Sequence, residues 1–211
     1  MTPKNKPIIL ASPLIIIAVN FLVAYFAGLL IGKWAFIPII LIEWLLFAFF
    51  ILKFGKAGAL IRWLKPTAGK YGWKFGVLMI GLIPLPIFIK YNYLLAGWEI
   101  WLPWLLLALV NPWLEEFYWR GLLSDTTKAW STTTSVLFTS LLFSINHVVF
   151  GVNALLFRGP EILISTFVMG VVWAITYKNT HSLRWVIFSH FLVDTLNLST
   201  PSFLDLYKPG W

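Results

Sequence analysis

The segment Asn111-Pro-Trp-Leu-Glu-Glu-Phe-Tyr-Trp-Arg-Gly121 carries Glu115, Glu116 and Arg120 within a long apolar run. A charged side chain in hydrocarbon costs roughly 2.5–3.5 kcal/mol on insertion scales. Residues kept at that cost usually face a protein interior or a water-filled cavity and serve a function. The segment therefore predicts apolar helices that pack around a polar interior.

The composition of the whole chain is that of a membrane protein. Hydrophobic residues make up 60% of the 211 residues and charged residues 11%, whereas soluble domains average about 25% charged residues. The chain has no cysteine, which excludes disulfides and thiolate metal sites. The length predicts a single integral-membrane domain, in which residues 1–97 supply N-terminal spans and residues 98–198 carry the polar motifs.

Seven apolar segments approach or exceed the length of about 20 residues that a membrane-spanning helix needs. They are residues 7–31, 34–52, 74–89, 99–123, 135–150, 162–177 and 183–198. Pro84 and Pro86 break the third segment, because proline removes a backbone donor. We therefore predict an all-α, polytopic transmembrane bundle of seven to eight helices, with the polar site inside its C-terminal half.

The chain has a net charge of +8, and its basic residues are confined to short loops. This distribution indicates the orientation of the chain in a lipid bilayer and predicts no nucleic-acid partner. With seven spans, most basic residues fall on one side: Lys4, Lys6, Lys53, Lys56, Arg62, Lys65, Lys70, Lys74, Lys128, Lys178 and Arg184. The opposite side has Lys33, Lys90, Arg158 and Lys208. The positive-inside rule then predicts a multi-pass protein of the cell membrane with a cytoplasmic N-terminus. Residues 60–65 fit either an interfacial helix or a plain loop.

The two glutamates are predicted to differ in role. Glu116 and Arg120 are four residues apart, so on a helix they share one face and can pair. Glu115 is rotated from Glu116 by about 100° and stays outside that pair. A free carboxylate in apolar surroundings can serve as a general base near neutral pH. The alternative is that both glutamates only join helices.

Two histidines in later spans add to this pattern. His147 ends Phe143-Ser-Ile-Asn-His147, and His190 begins His190-Phe-Leu-Val-Asp194. His190 and Asp194 share a helical face, so the carboxylate is expected to orient the imidazole or to favour its protonation. If the fourth and fifth helices form a hairpin, residues whose numbers sum to about 262 lie at equal depth. Glu115 and His147 should then be level, provided that the fourth helix continues beyond residue 121.

These three ordered motifs resemble those of the CAAX protease and bacteriocin-processing family of membrane proteins. The motifs are Glu115-Glu116-Phe-Tyr-Trp-Arg120, Phe143-Ser-Ile-Asn-His147 and His190-Phe-Leu-Val-Asp194, and the resemblance covers roughly residues 112–197. The chain departs from the family at Asp194, where its eukaryotic prenyl endopeptidases carry Asn.

The resemblance implies an intramembrane endopeptidase that needs no cofactor and cleaves a membrane-bound or prenylated peptide with glutamate- and histidine-activated water. Glu115 would activate the water and His147 would assist as base or proton donor, while His190 and Asp194 would flank the oxyanion. Supporting roles fall to Glu116, Arg120, Phe143 and Asn146.

Two other functions stay open at this stage. Glu115, His147 and His190 could bind zinc or another divalent metal in a metal-dependent hydrolase. A non-enzymatic bacteriocin self-immunity protein or scaffold could also keep this fold. Glu43 is expected to reach the membrane surface or a neighbouring helix, and Asn111-Pro112 to loosen the fourth helix.

Overall fold

The computed structural model describes residues 5–66 and 71–208, so the predicted loop cations Lys4 and Lys70 lie outside it. The all-α class is confirmed, because the regular elements of the described residues are all helical. The α-helices are α1 (Lys6–Ile31), α2 (Phe36–Phe54), α3 (Ala59–Trp63), α4 (Tyr71–Leu82), α5 (Leu85–Tyr91), α6 (Trp98–Glu116), α7 (Leu123–Thr126), α8 (Thr132–Val148), α9 (Pro160–Thr180), α10 (Arg184–Leu196) and α11 (Ser199–Phe203).

Among the described residues, four segments are long and apolar enough to cross a membrane: Lys6–Phe54, Gly72–Leu95, Thr132–Val152 and Pro160–Thr180. The first contains two helices, α1 and α2, joined by a 3-10 turn over Gly32–Ala35. Ile9 near the start of α1 shares a core with Phe47 near the end of α2, so the two helices run antiparallel. The seven predicted spans correspond to α1, α2, α4 with α5, α6 with α7, α8, α9 and α10.

The predicted break in the third span is present. α4 ends at Leu82 and α5 begins at Leu85, with Pro84 at the junction. Of the two alternatives for residues 60–65, a helix or a plain loop, the structure has a helix over most of the segment, α3. Its side chain Trp63 is buried and stacks on Phe117, with ring centroids 5.9 Å apart. The position of α3 relative to a membrane stays a prediction.

The helix that carries the glutamates does continue beyond Gly121, but in a wider form. Residues Phe117–Leu122 form a π-helix that joins α6 to α7. The helix is not interrupted at Asn111-Pro112, since α6 remains α-helical through Pro112, and a local loosening there stays a prediction. π-Helical turns in α-helices occur frequently at functional sites, and this one holds Arg120 in the interior.

The predicted register of the hairpin between α6 and α8 agrees with its contacts. The hydroxyl groups of Thr127 and Ser135 lie 2.7 Å apart, and the rings of Trp119 and Phe143 lie 5.9 Å apart. Both pairs have residue numbers that sum to 262. The Ser131 hydroxyl accepts a hydrogen bond from the backbone N–H of Thr134 and caps α8.

Helices α8 and α9 pack closely because small residues face each other. Thr166 donates to the Ser144 hydroxyl at 3.0 Å, and Gly170 lies against Ser140. Small residues let transmembrane helices approach each other and gain van der Waals contacts. Gly170 also leaves room for the guanidinium of Arg120, whose Nη2 would lie 3.3 Å from a Cβ at this position.

We expect Gly170→Ala to destabilise the protein. The new Cβ would lie 3.0 Å from Ser140 Cβ and 3.2 Å from Ser140 Cα, so backbone must move. Overpacking of this kind costs roughly 1–3 kcal/mol, or about 2–12 °C in Tm for a chain of this size. The measurement is thermal unfolding in detergent. Gly76→Ala is the matched control, because no described atom lies within 4 Å of its Cβ; an equal Tm for both variants would contradict the packing argument.

Ion pairs mark the two ends of the bundle. At one end, Arg62 Nη2 lies 2.9 Å from Asp125 Oδ2. At the other end, Lys33 Nζ lies 3.0 Å from Asp205 Oδ2 and ties the turn between α1 and α2 to the chain after α11. Which end faces the cytoplasm stays a prediction.

Candidate active site

Glu116 lies at the centre of a buried polar cluster. Its Oε1 accepts a hydrogen bond from Arg120 Nη1 at 3.0 Å, so the predicted pair is present. The same oxygen lies 2.8 Å from His190 Nδ1 on α10. Glu116 is 0% exposed, and a buried carboxylate needs such partners to remain in apolar surroundings.

Glu116, and not Asp194, is the close carboxylate partner of His190. The distance from His190 Nε2 to Asp194 Oδ1 is 3.6 Å, which is too long for a hydrogen bond. Asp194 is therefore within ion-pair distance of His190, as the helical spacing predicted, but Glu116 is the carboxylate that hydrogen-bonds to the imidazole and orients it. Because an ionised carboxylate only accepts hydrogen bonds, Nδ1 carries a proton and points at Glu116. The ring also stacks on Trp173, with centroids 4.5 Å apart.

The second motif reaches the first through aromatic contacts. The guanidinium carbon of Arg120 lies 4.2 Å from the centroid of the Phe143 ring and 5.2 Å from that of Trp173. A cation over an aromatic face is attracted by the ring quadrupole, more strongly where water is excluded. Phe143 therefore holds the ion pair from the side of α8.

Glu115 is separate from the ion pair, as the helical spacing predicted. It is 4% exposed, and its Oε1 accepts a hydrogen bond from Asn111 Nδ2 at 3.1 Å. Its other oxygen, Oε2, has no hydrogen-bond partner among the described residues. Buried polar atoms in folded proteins are nearly always paired, so this oxygen lacks a partner that such an atom normally has.

Asn111 is a site residue that the motifs did not reveal. Its Nδ2 donates to Asp194 Oδ2 at 3.2 Å as well as to Glu115, so it joins α6 to α10. Its Oδ1 accepts from Trp44 Nε1 at 2.9 Å. An available sequence signal was the spacing of four residues from Asn111 to Glu115, which places both on one helical face.

His147 follows the predicted register but hydrogen-bonds elsewhere. Its Nδ1 lies 2.9 Å from the backbone oxygen of Phe143, one turn earlier. A carbonyl oxygen can only accept, so Nδ1 carries the proton and a neutral ring keeps its lone pair on Nε2. No hydrogen bond joins Glu115 to His147. Glu115 Oε1 is bound by Asn111, and Glu115 Oε2 has no partner among the described residues. His147 is only half-buried, so this side is the more accessible one.

Asn146 and Glu43 form a second polar cluster beside the site. Asn146 Nδ2 donates to Glu43 Oε1 at 2.8 Å, and Asn20 Nδ2 donates to Glu43 Oε2 at 2.9 Å. Glu43 is 3% exposed, so the expectation that it reaches the membrane surface was wrong. The alternative expectation, a contact with neighbouring helices, was right.

Within residues 5–66 and 71–208, no group of three or more His, Cys, Asp or Glu residues is arranged to hold a metal ion. The alternative ligand set Glu115, His147 and His190 is therefore not gathered as a metal site. Both histidine Nδ1 atoms face protein oxygens instead.

An apolar groove of about 550 Å³ lies between α6 and α10. Its lining is aliphatic and aromatic apart from one arginine and consists of Leu64, Leu109, Trp113, Arg184, Ile187, Phe188 and Phe191. Both helices that form the groove also carry site residues.

Comparison with known families gives a match over the C-terminal half of the chain. Residues 97–196, just under half of the chain, match the family described as Type II CAAX prenyl endopeptidase Rce1-like. The matched range contains the three motifs and the helices α6 to α10. The curated proteins and the solved structures gave no match.

Proposed function

From the match of residues 97–196 to the Rce1-like family of type II CAAX prenyl endopeptidases, we propose that the protein is an intramembrane endopeptidase. The family and the apolar helices support a membrane protein of protease type. The observation that carries the proposal is Glu116, which contacts Arg120 of its own motif and His190 of the third. Arg120 in turn packs on Phe143 of the second, so three motifs far apart in sequence meet.

In the proposed reaction, the free carboxylate oxygen of Glu115 takes a proton from a water molecule. The resulting hydroxide forms a bond to the carbonyl carbon of the scissile peptide, and the carbonyl oxygen becomes an oxyanion. General-base catalysis of this kind contributes typically about 10²–10⁴-fold to a rate. His147, with its lone pair on Nε2, serves as a second base on the accessible side.

The oxyanion needs hydrogen-bond donors that are already in place. His190 is held through Nδ1 by Glu116, which leaves Nε2 on the side of Asp194. An ionised Asp194 cannot donate, and both N–H groups of the Asn111 amide already face Glu115 and Asp194. We assign the donor role to Nε2 of His190 in its protonated form, with Asp194 stabilising the charge of His190. The peptide C–N bond then breaks, and the proton held by Glu115 or His147 passes to the leaving nitrogen.

The proposed substrate is a membrane-bound peptide that carries a hydrocarbon chain. The groove between α6 and α10 is apolar along most of its lining, and burial of each CH₂ group contributes about 0.8 kcal/mol. Binding energy from such a remote chain can hold a peptide bond in place for attack.

The test is cleavage of a farnesylated peptide with a free C-terminus by the purified protein in detergent, followed by mass spectrometry. We expect cleavage of this peptide, slower cleavage of the same sequence without the lipid, and full activity after treatment with a divalent-metal chelator. The lipid arm tests the substrate, and the chelator arm tests the mechanism.

Each alternative has its own outcome. Loss of activity with the chelator and recovery with zinc would support a metal-dependent hydrolase. Equal cleavage rates for the farnesylated and the unlipidated peptide would show that the lipid does not contribute to substrate binding. Absence of cleavage of any peptide, by protein that is folded, would favour the self-immunity or scaffold function.

A further inference from the structure

Two adjacent residues of α2, Glu43 and Trp44, each hold an asparagine that borders the candidate site. α2 lies outside the family-matched residues 97–196, so its contribution is not part of the three motifs. Trp44 contacts Asn111 on α6, and Glu43 contacts Asn146 on α8. One helix of the N-terminal hairpin therefore reaches both walls of the site.

Trp44 fixes which way the Asn111 amide points. An indole N–H can only donate, so it must face the amide oxygen, as it does at 2.9 Å. The amide nitrogen then faces the carboxylates of Glu115 and Asp194, at 3.1 Å and 3.2 Å. A reversed amide would turn its oxygen toward two carboxylates and lose both hydrogen bonds. Trp44 thus holds the orientation that the two acidic residues need.

Glu43 fixes the end of α8 that carries His147. It accepts from Asn146 and from Asn20, and Asn20 Nδ2 also donates to Asn146 Oδ1 at 3.2 Å. The three side chains come from three helices and close a ring of hydrogen bonds. Asn146 is the residue before His147, so the ring determines where the last turn of α8 lies.

Packing keeps α2 in register with the site. Phe47, one turn after Glu43, stacks on Tyr118 of the π-helix with ring centroids 4.6 Å apart. Tyr118 in turn meets the Ser12 hydroxyl of α1 at 2.6 Å. The hairpin of α1 and α2 is therefore fastened to the segment that carries Glu116 and Arg120.

We infer that Glu43 and Trp44 are positioning residues of the hydrolytic site: Trp44 orients Asn111 against Glu115 and Asp194, and Glu43 places the His147 end of α8 through Asn146. This inference rests on the proposed function for its kinetic consequence. Neither residue is assigned a contact with substrate, so their loss should lower kcat and leave KM nearly unchanged.

The kinetic test compares Trp44→Phe with wild type on the farnesylated peptide. Phenylalanine keeps an aromatic ring and removes the N–H, so we expect kcat to fall roughly tenfold with KM within twofold. Glu43→Leu is expected to lower kcat further, because Asn20 and Asn146 both lose their acceptor. Glu43→Gln is expected to restore most of the kcat, because the amide keeps an acceptor oxygen. Leu45→Ala is the matched control, since Leu45 is the next residue and is 70% exposed.

A stability test separates this inference from the proposed function, because it needs no substrate. Thermal unfolding is measured for Trp44→Phe, Asn111→Ala and the double variant. If the hydrogen bond exists, the double variant loses clearly less Tm than the sum of the single losses. Additive losses would overturn the positioning of Asn111 even if the protein is not a peptidase. A Trp44→Phe variant with the kcat of Leu45→Ala would overturn its role in catalysis.

Discussion

Glu115→Gln is expected to lower kcat for peptide cleavage by roughly 10²–10⁴-fold, the usual range for loss of a general base. Glutamine has nearly the same shape and keeps an oxygen that can accept the hydrogen bond from Asn111. It cannot take a proton from water. The fold should survive, because the replacement also removes a buried negative charge that has a single hydrogen bond among the described groups.

The measurement is the initial rate on one lipidated peptide, together with Tm. Glu99→Gln is the matched control, since Glu99 is an exposed glutamate in the first turn of the same helix. A Glu115→Gln variant with wild-type kcat would show that another group activates the water, with His147 as the next candidate.

Arg120→Met is expected to cause the largest loss of stability. It leaves the fully buried Glu116 without its guanidinium partner, and breaking a buried ion pair from one side costs about 3–5 kcal/mol. For a chain of this length the corresponding fall in Tm is roughly 6–20 °C. Loss of the contact with the Phe143 ring adds to this effect.

The double variant Glu116→Gln with Arg120→Met gives the decisive comparison. Removing both charges avoids an unpaired carboxylate, so the double variant should be more stable than Arg120→Met alone. Lys65→Met is the control for loss of an exposed cation, with an expected effect within about 0.5 kcal/mol. If Arg120→Met unfolds at the temperature of this control, the buried pair does not stabilise the fold.

Contacts within one helix, or across one hairpin, could be predicted from the sequence. The spacing of Glu116 and Arg120 gave their pair, and the hairpin register agrees with the contact of Trp119 with Phe143. Both follow from the rise and the turn of a helix. The proline-broken third span followed in the same way from the missing backbone donor.

Contacts between distant helices could not be predicted, because periodicity says which face is polar and not which helix it meets. The Glu116–His190 contact joins residues 74 positions apart, and helical spacing pointed to Asp194 instead. For the same reason Glu43 could be assigned only to the membrane surface or to an unspecified neighbouring helix, and its partner Asn146 could not be named. The contact of Trp63 on α3 with Gly121 in the π-helix could not be predicted either, because the two residues lie in separate segments of the chain.

The two asparagine partners of Glu43 have a consequence for how the protein is made. Asn20 precedes Glu43 by 23 residues, whereas Asn146 follows it by 103. At about 5–20 residues per second, the ribosome needs roughly 5–20 s to add that later stretch. During this interval α1 and α2 can already pair, and Asn20 is the hydrogen-bond donor available to Glu43. Asn20 can thus satisfy one carboxylate oxygen of Glu43 before α8 has been synthesised.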